Sequence, residues 1–160
     1  MLEHRVLLVR PRSASGERAI VDGDSGKPLG FARWETETPR IWWRPFARST
    51  LAVHEHEDEP LLCTIRRAWG LLPRAVVRDA DGHPVGSCSF LGRIIRDRYG
   101  HSLAAFHGED GTIRSPTQRV LAEWTATPDG LRIAFRDDIV GEPFVKMLLL
   151  SACLVGRSEG

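Results

Sequence analysis

From the N-terminus to about residue 136 the chain alternates apolar and polar positions in short runs, and clusters of Asp, Gly, Pro and Ser interrupt it every ~8 to 12 residues. Alternation with a period of two marks half-buried β-strands, and turns at that spacing belong to an all-β sandwich or barrel. The predicted strands cover residues 4–10, 18–22, 28–35, 48–54, 61–67, 74–79, 84–90, 92–97, 102–107, 110–114, 119–126 and 130–136. The last stretch, Pro143 to Val155 (PFVKMLLLSACLV), is different, being apolar on every side except at Lys146 and Ser151. As a helix it would measure about 20 Å, short of the ~30 Å hydrocarbon core of a bilayer, so it is not expected to span a membrane. A helix with no polar stripe must be enclosed by protein. Gly141 and Pro143 mark its start and Gly156 its end.

An eleven-residue unit recurs: Ile20 to Gly30 (IVDGDSGKPLG), Val76 to Gly86 (VVRDADGHPVG) and Ile94 to Ala104 (IIRDRYGHSLA). Two β-branched residues lead into an Asp- and Gly-containing turn and out into a second apolar run, which is the signature of a β-hairpin whose glycine supplies a positive φ. Looser versions stand at Glu109-Asp110-Gly111 and Pro128-Asp129-Gly130. The recurring aspartates, among them Asp22, Asp24, Asp79, Asp81 and Asp97, resemble calcium ligands in their Asp-x-Asp spacing. Asp before Gly is also ordinary turn chemistry, and that reading is preferred here.

Repeated hairpins, about twelve strands and one closing helix resemble the tubby C-terminal-like superfamily, which includes the tubby domain, the phospholipid scramblases and the LURP-one-related proteins. The residues that carry the resemblance are PLLCTIRRAW at Pro60 to Trp69, VVRDADGHPVGSCS at Val76 to Ser89 and the terminal PFVKMLLLSACLV. It implies a mostly β fold, a closed antiparallel barrel of about twelve strands with the C-terminal hydrophobic helix running through it. That single domain would occupy residues 1–156, with 157–160 as a short disordered tail. Independent physics agrees, because a barrel that wide cannot be filled by its own inward side chains and needs a plug. The proline-rich arm and calcium segment of scramblases are not matched, so scrambling is not implied.

Charge and cysteine content narrow the function classes. With 22 basic and 21 acidic residues the net charge is +1, so no overall field recruits nucleic acid, and any anionic partner must meet a local patch. Cys63, Cys88 and Cys153 lie far apart without a Cys-x-x-Cys pair, which excludes a paired disulfide framework and a zinc knuckle and suits a reducing, cytoplasmic setting. No nucleophile elbow, phosphate loop or metalloprotease motif is present, so the chain reads as non-enzymatic and without a cofactor.

The segment Arg40 to Arg48 (RIWWRPFAR) combines Arg40, Arg44 and Arg48 with Trp42 and Trp43 and holds no acid; Arg33 and Trp34 extend it. Indole rings favour membrane interfaces and guanidinium groups pair with phosphates, so the segment is the candidate site for an anionic ligand or phospholipid head group at a peripheral membrane surface. The same residues also read as core tryptophans beside arginines that solvate strand ends, within a structural or protein-interaction domain. His54 and His56, with Glu57 or Asp58, have the spacing of metal ligands on a strand, yet an acidic turn ending at Pro60 accounts for the run better. His83 and His101 take equivalent turn positions.

Overall fold

The computed structural model describes residues 1–11, 13–14, 16–37, 48–55, 60–68, 74–89, 93–107, 110–139 and 141–156. Twelve strands run in chain order as β1 (Val6–Val9), β2 (Glu17–Asp22), β3 (Pro28–Glu37), β4 (Arg48–His54), β5 (Leu61–Ala68), β6 (Arg74–Asp79), β7 (Pro84–Ser89), β8 (Ile94–Asp97), β9 (Ser102–His107), β10 (Thr112–Arg114), β11 (Val120–Thr127) and β12 (Gly130–Phe135). Each pairs antiparallel with its neighbours in sequence, and β1 pairs with β12, so the sheet closes and has no free edge. A 3₁₀ turn at Asp137–Ile139 leads into the helix α1 (Pro143–Gly156). The strands fall within a few residues of the predicted ones, and of the sandwich and barrel that the hairpin pattern left open the structure is the closed barrel with its C-terminal helix.

The helix occupies the lumen. Met147 to Val155 are at most 4% exposed, and the helix touches inward residues from well-separated parts of the wall. Cys88 of β7 lies against the Leu148 carbonyl and Arg18 of β2 donates to the Leu154 carbonyl at 3.1 Å, while Lys146 sits over the Phe135 ring that ends β12. The chain therefore enters the lumen where β12 ends and runs toward the opposite rim. We call these the entry and exit rims.

The hairpins at the entry rim use one device. β3, β5, β7, β9 and β11 each carry a β-bulge just after their turn, an extra residue (Leu29, Leu62, Val85, Leu103 and Leu121) opposite the step that follows Ile20, Val53, Val77, Ile95 and Ile113 of the preceding strand. Those five β-branched residues are 0% exposed. A bulge adds a residue to one strand and sharpens the local twist, so five of them at one level help to curl the sheet into a barrel. In the turns after β6, β8 and β10 a side-chain oxygen of Asp79, Asp97 or Ser115 accepts the backbone N–H of His83, His101 or Arg119. The arginine before it reaches across the turn to the carbonyl of Gly82, Gly100 or Gln118. Gly26, Gly82 and Gly100 all have positive φ, as does Gln118 at 65° in the β10–β11 turn. The repeat seen three times in the sequence thus extends to a hairpin that lacks the Asp and Gly. Gly111 and Gly130, by contrast, stand at the exit rim and belong to different turns.

One glycine of the repeat is needed for closeness rather than for φ. A Cβ on Gly86 would lie 2.2 Å from the Arg96 carbonyl oxygen and 2.9 Å from Leu148 of the helix, neither of which can move freely. Gly86→Ala should therefore destabilise the fold by about 1 to 3 kcal/mol, read as a lower urea midpoint at unchanged slope. An unchanged midpoint would mean that wall and helix are less tightly packed than this.

Candidate functional site

Inside the barrel the polar chemistry is concentrated at the two ends of the helix. Lys146, 0% exposed, donates from Nζ to the backbone carbonyls of Leu2 at 2.7 Å and His4 at 2.9 Å, and lies 5.1 Å from the centre of the Phe135 ring. Burial pushes its pKa down, partly opposed by the charge of Glu3. The ammonium binds the segment before β1 across the entry rim, where the Phe135 N–H also donates to the Arg5 carbonyl and Arg5 pairs with Asp137 at 3.1 Å. At the other end Arg18, inward on β2, reaches the Leu154 carbonyl, placing a cation at the negative end of the helix dipole. Arg67 of β5 stacks 5.6 Å from the centre of the Trp34 ring near the same rim.

The thiols are also part of this packing. Cys63, Cys88 and Cys153 are buried thiols, none of them in a disulfide among the described residues. Burial pushes the Cys63 and Cys88 thiols up to about 12, and the Ser151 hydroxyl beside Cys63 only partly offsets this. Such thiols hold almost no nucleophilic thiolate at neutral pH.

Of the residues expected to form a ligand site, Arg40, Trp42, Trp43 and Arg44 lie outside the described residues, as does the side chain of Arg48. The flanking backbone is described: β3 ends at Glu37 and β4 begins at Arg48, paired with each other at the exit rim. Arg33 and Trp34, which extend the segment in sequence, are parted by the strand's period of two. Arg33 lies on the outer face, 3.5 Å from Glu17 and 3.6 Å from Glu35, whereas Trp34 packs against the core.

The histidine and aspartate candidates resolve into turn and wall structure. His54 stacks on Phe31 at 4.8 Å between ring centres, one strand away on the outer face, and its Nε2 has no hydrogen-bond partner among the described residues. Glu55 accepts from the Met1 amino group at 2.8 Å, while His56, Glu57 and Asp58 lie outside the described residues. Asp79, Asp81 and His83 bring three ligand atoms within 4.8 Å of one another on an exposed turn. Asp79 meanwhile accepts the His83 amide, which is the turn role anticipated for these aspartates. The His83 and His101 side chains are 76% and 80% exposed, as their turn positions implied.

Comparison with known proteins adds no relative: no protein family, curated protein or solved structure matches the chain. Among the described residues no helix is long and apolar enough to cross a membrane.

Lys146 is the functional-looking residue that the sequence hid. It stands there as a lone interruption of an apolar run, and only the fold reveals the two carbonyls it serves. Lys146→Met keeps the length and apolar stem but leaves the Leu2 and His4 carbonyls without their donor, which should cost about 1 to 3 kcal/mol in chemical denaturation. A variant as stable as the parent would show that the latch contributes nothing. The buried thiols give a second measurement. At pH 8, Cys63 and Cys88 should react with a disulfide reagent only as fast as the barrel opens, and at once in guanidinium. Rapid labelling of the native protein would show that the helix leaves the lumen readily.

Proposed function

We propose that this chain is a non-enzymatic barrel of the tubby, LURP-one and scramblase-like kind, and that it takes an anionic ligand, foremost a phospholipid head group, at its surface. The observation that carries the reading is the occupied lumen. A helix buried from Lys146 to Val155 takes up the lumen among the described residues, which favours recognition at the outside of the wall and at the loops of its rims. The buried, protonated thiols argue in the same direction against nucleophilic chemistry.

Arg40, Trp42, Trp43, Arg44 and Arg48 are the proposed ligand site. The strands that flank them meet at the exit rim, where exposed Arg10 and Arg93 have no carboxylate partner among the described residues. A basic rim with indole rings suits peripheral attachment to an acidic membrane through phosphate pairing and interfacial burial. The alternative is a structural or protein-interaction domain with no lipid ligand, in which the same aromatic segment serves as core or as a partner interface.

Flotation with neutral and acidic liposomes at low and high salt tests the lipid reading. The protein should float with acidic vesicles only, lose them at high salt, and lose them in a variant with Arg40, Arg44 and Arg48 changed to alanine. Absence of flotation under every condition would reject the lipid ligand.

A further inference from the structure

We propose that the outer wall of β5–β8 is a docking surface for an extended acidic segment of a partner protein. Register and burial place Arg66, Arg74, Arg78 and Arg96 on the outer face of these four strands, around a centre formed by Val76 and Ser87. Arg66, Val76, Ser87 and Arg96 stand in one cross-strand row, and Arg74 and Arg78 lie two residues to either side of Val76 along β6. The described outward positions of β5 to β8 include no acid, and none of the four arginines has a carboxylate partner among the described residues. Elsewhere on the barrel several arginines are neutralised: Arg33 by Glu17 and Glu35, Arg5 by Asp137, Arg119 by Asp138 and Arg132 by Asp24. A chain of net charge +1 has thus collected on one wall four cations with no carboxylate partner among the described residues.

Two of these cations are held in place. Arg78 and Arg96 each donate one Nη1 bond to the carbonyl of their own turn, at 2.7 Å and 2.9 Å, so their guanidinium groups are positioned before a ligand arrives and keep their other N–H donors. The centre of the cluster is small and partly apolar, which lets a second backbone lie close to the sheet. Arg74 and Arg78 stand about 13 Å apart at ~3.3 Å per residue, which matches same-side carboxylates at i and i+4 of an extended chain, whereas on a helix they would be only ~6 Å apart. Charge complementarity and this spacing favour an extended acidic peptide. A membrane is disfavoured because the large exposed hydrophobic side chains among the described residues, Tyr99 and Phe144, belong to the β8–β9 turn and the helix start rather than to this wall. The wall also lacks aromatic side chains on which nucleic-acid bases could stack.

The test uses the full chain and a fluorescent peptide of alternating Glu and Ser, followed by anisotropy at low and high salt. Binding should vanish at high salt and weaken by about tenfold or more in Arg66→Gln/Arg74→Gln. Those two arginines make no turn bond among the described residues, so the variant should melt like the parent; the single Arg74→Gln serves if it does not. Arg132→Gln, on β12, should bind the peptide as the parent does. The proposal is overturned if the peptide does not bind, or if the double variant binds it unchanged. It is also overturned if acidic vesicles or a DNA duplex of matched charge bind more tightly through the same two arginines. Because the double variant leaves Arg40 to Arg48 intact, lipid binding through that segment and peptide binding through the wall are read separately.

Discussion

The structure depends on one constraint, the width of a closed barrel of twelve strands. Such a barrel leaves a lumen that its own inward side chains cannot fill, and an empty apolar lumen would forfeit dispersion contacts on every side. The terminal helix supplies the missing volume. It can do so because its residues are apolar around the whole circumference, a pattern that would be costly on a helix facing water. The wall answers in kind: Ile20, Val53, Val77, Ile95 and Ile113 form a level of fully buried β-branched side chains, and Gly86 yields its side chain so that wall and helix can approach.

A buried helix creates a second problem at its two ends, where backbone groups lack partners within the helix. The C-terminal end is met by Arg18, whose guanidinium takes the Leu154 carbonyl and lies at the negative end of the dipole. At the entry end the direction reverses, and the helix's own Lys146 reaches back to satisfy carbonyls of the segment before β1. In both places a long side chain carries a charge along an apolar path to a backbone oxygen. Plug and wall are therefore joined by directional bonds as well as by burial, and the helix has one depth in the lumen rather than several.

Filling the lumen has a consequence for function. The rims and outer faces are then the surfaces open to a partner, so the distribution of charge over them becomes the informative quantity. At the entry rim, charge is largely spent on architecture: Asp79 and Asp97 hold amides of their own turns, and Arg78 and Arg96 hold carbonyls. The last two do so with one donor each, and that restraint is what turns a structural arginine into a prepared binding group. A single device, the bulged hairpin with its cross-turn arginine, thus curls the sheet and arrays cations on one wall.

Most of this fold was legible in the sequence because its signals are local. Alternation located twelve strands, Asp and Gly located the turns, and an all-apolar terminal run announced a helix in need of enclosure. The β10–β11 hairpin escaped the repeat because Ser115 and Gln118 replace Asp and Gly, and only the shared hydrogen-bond geometry reveals the kinship. The candidate site was legible only as composition: the segment Arg40 to Arg48 stands out by residue type, while Arg33 and Trp34 beside it prove to face opposite sides of β3. The sequence by itself determined which residues prefer strand, turn and buried helix, since those preferences act over a few neighbouring residues. Tertiary structure alone decided that Lys146 meets Leu2 and His4, and that arginines from β5, β6 and β8 gather on one wall. Both depend on register between strands distant in sequence, and register is set by closure of the whole barrel around its helix.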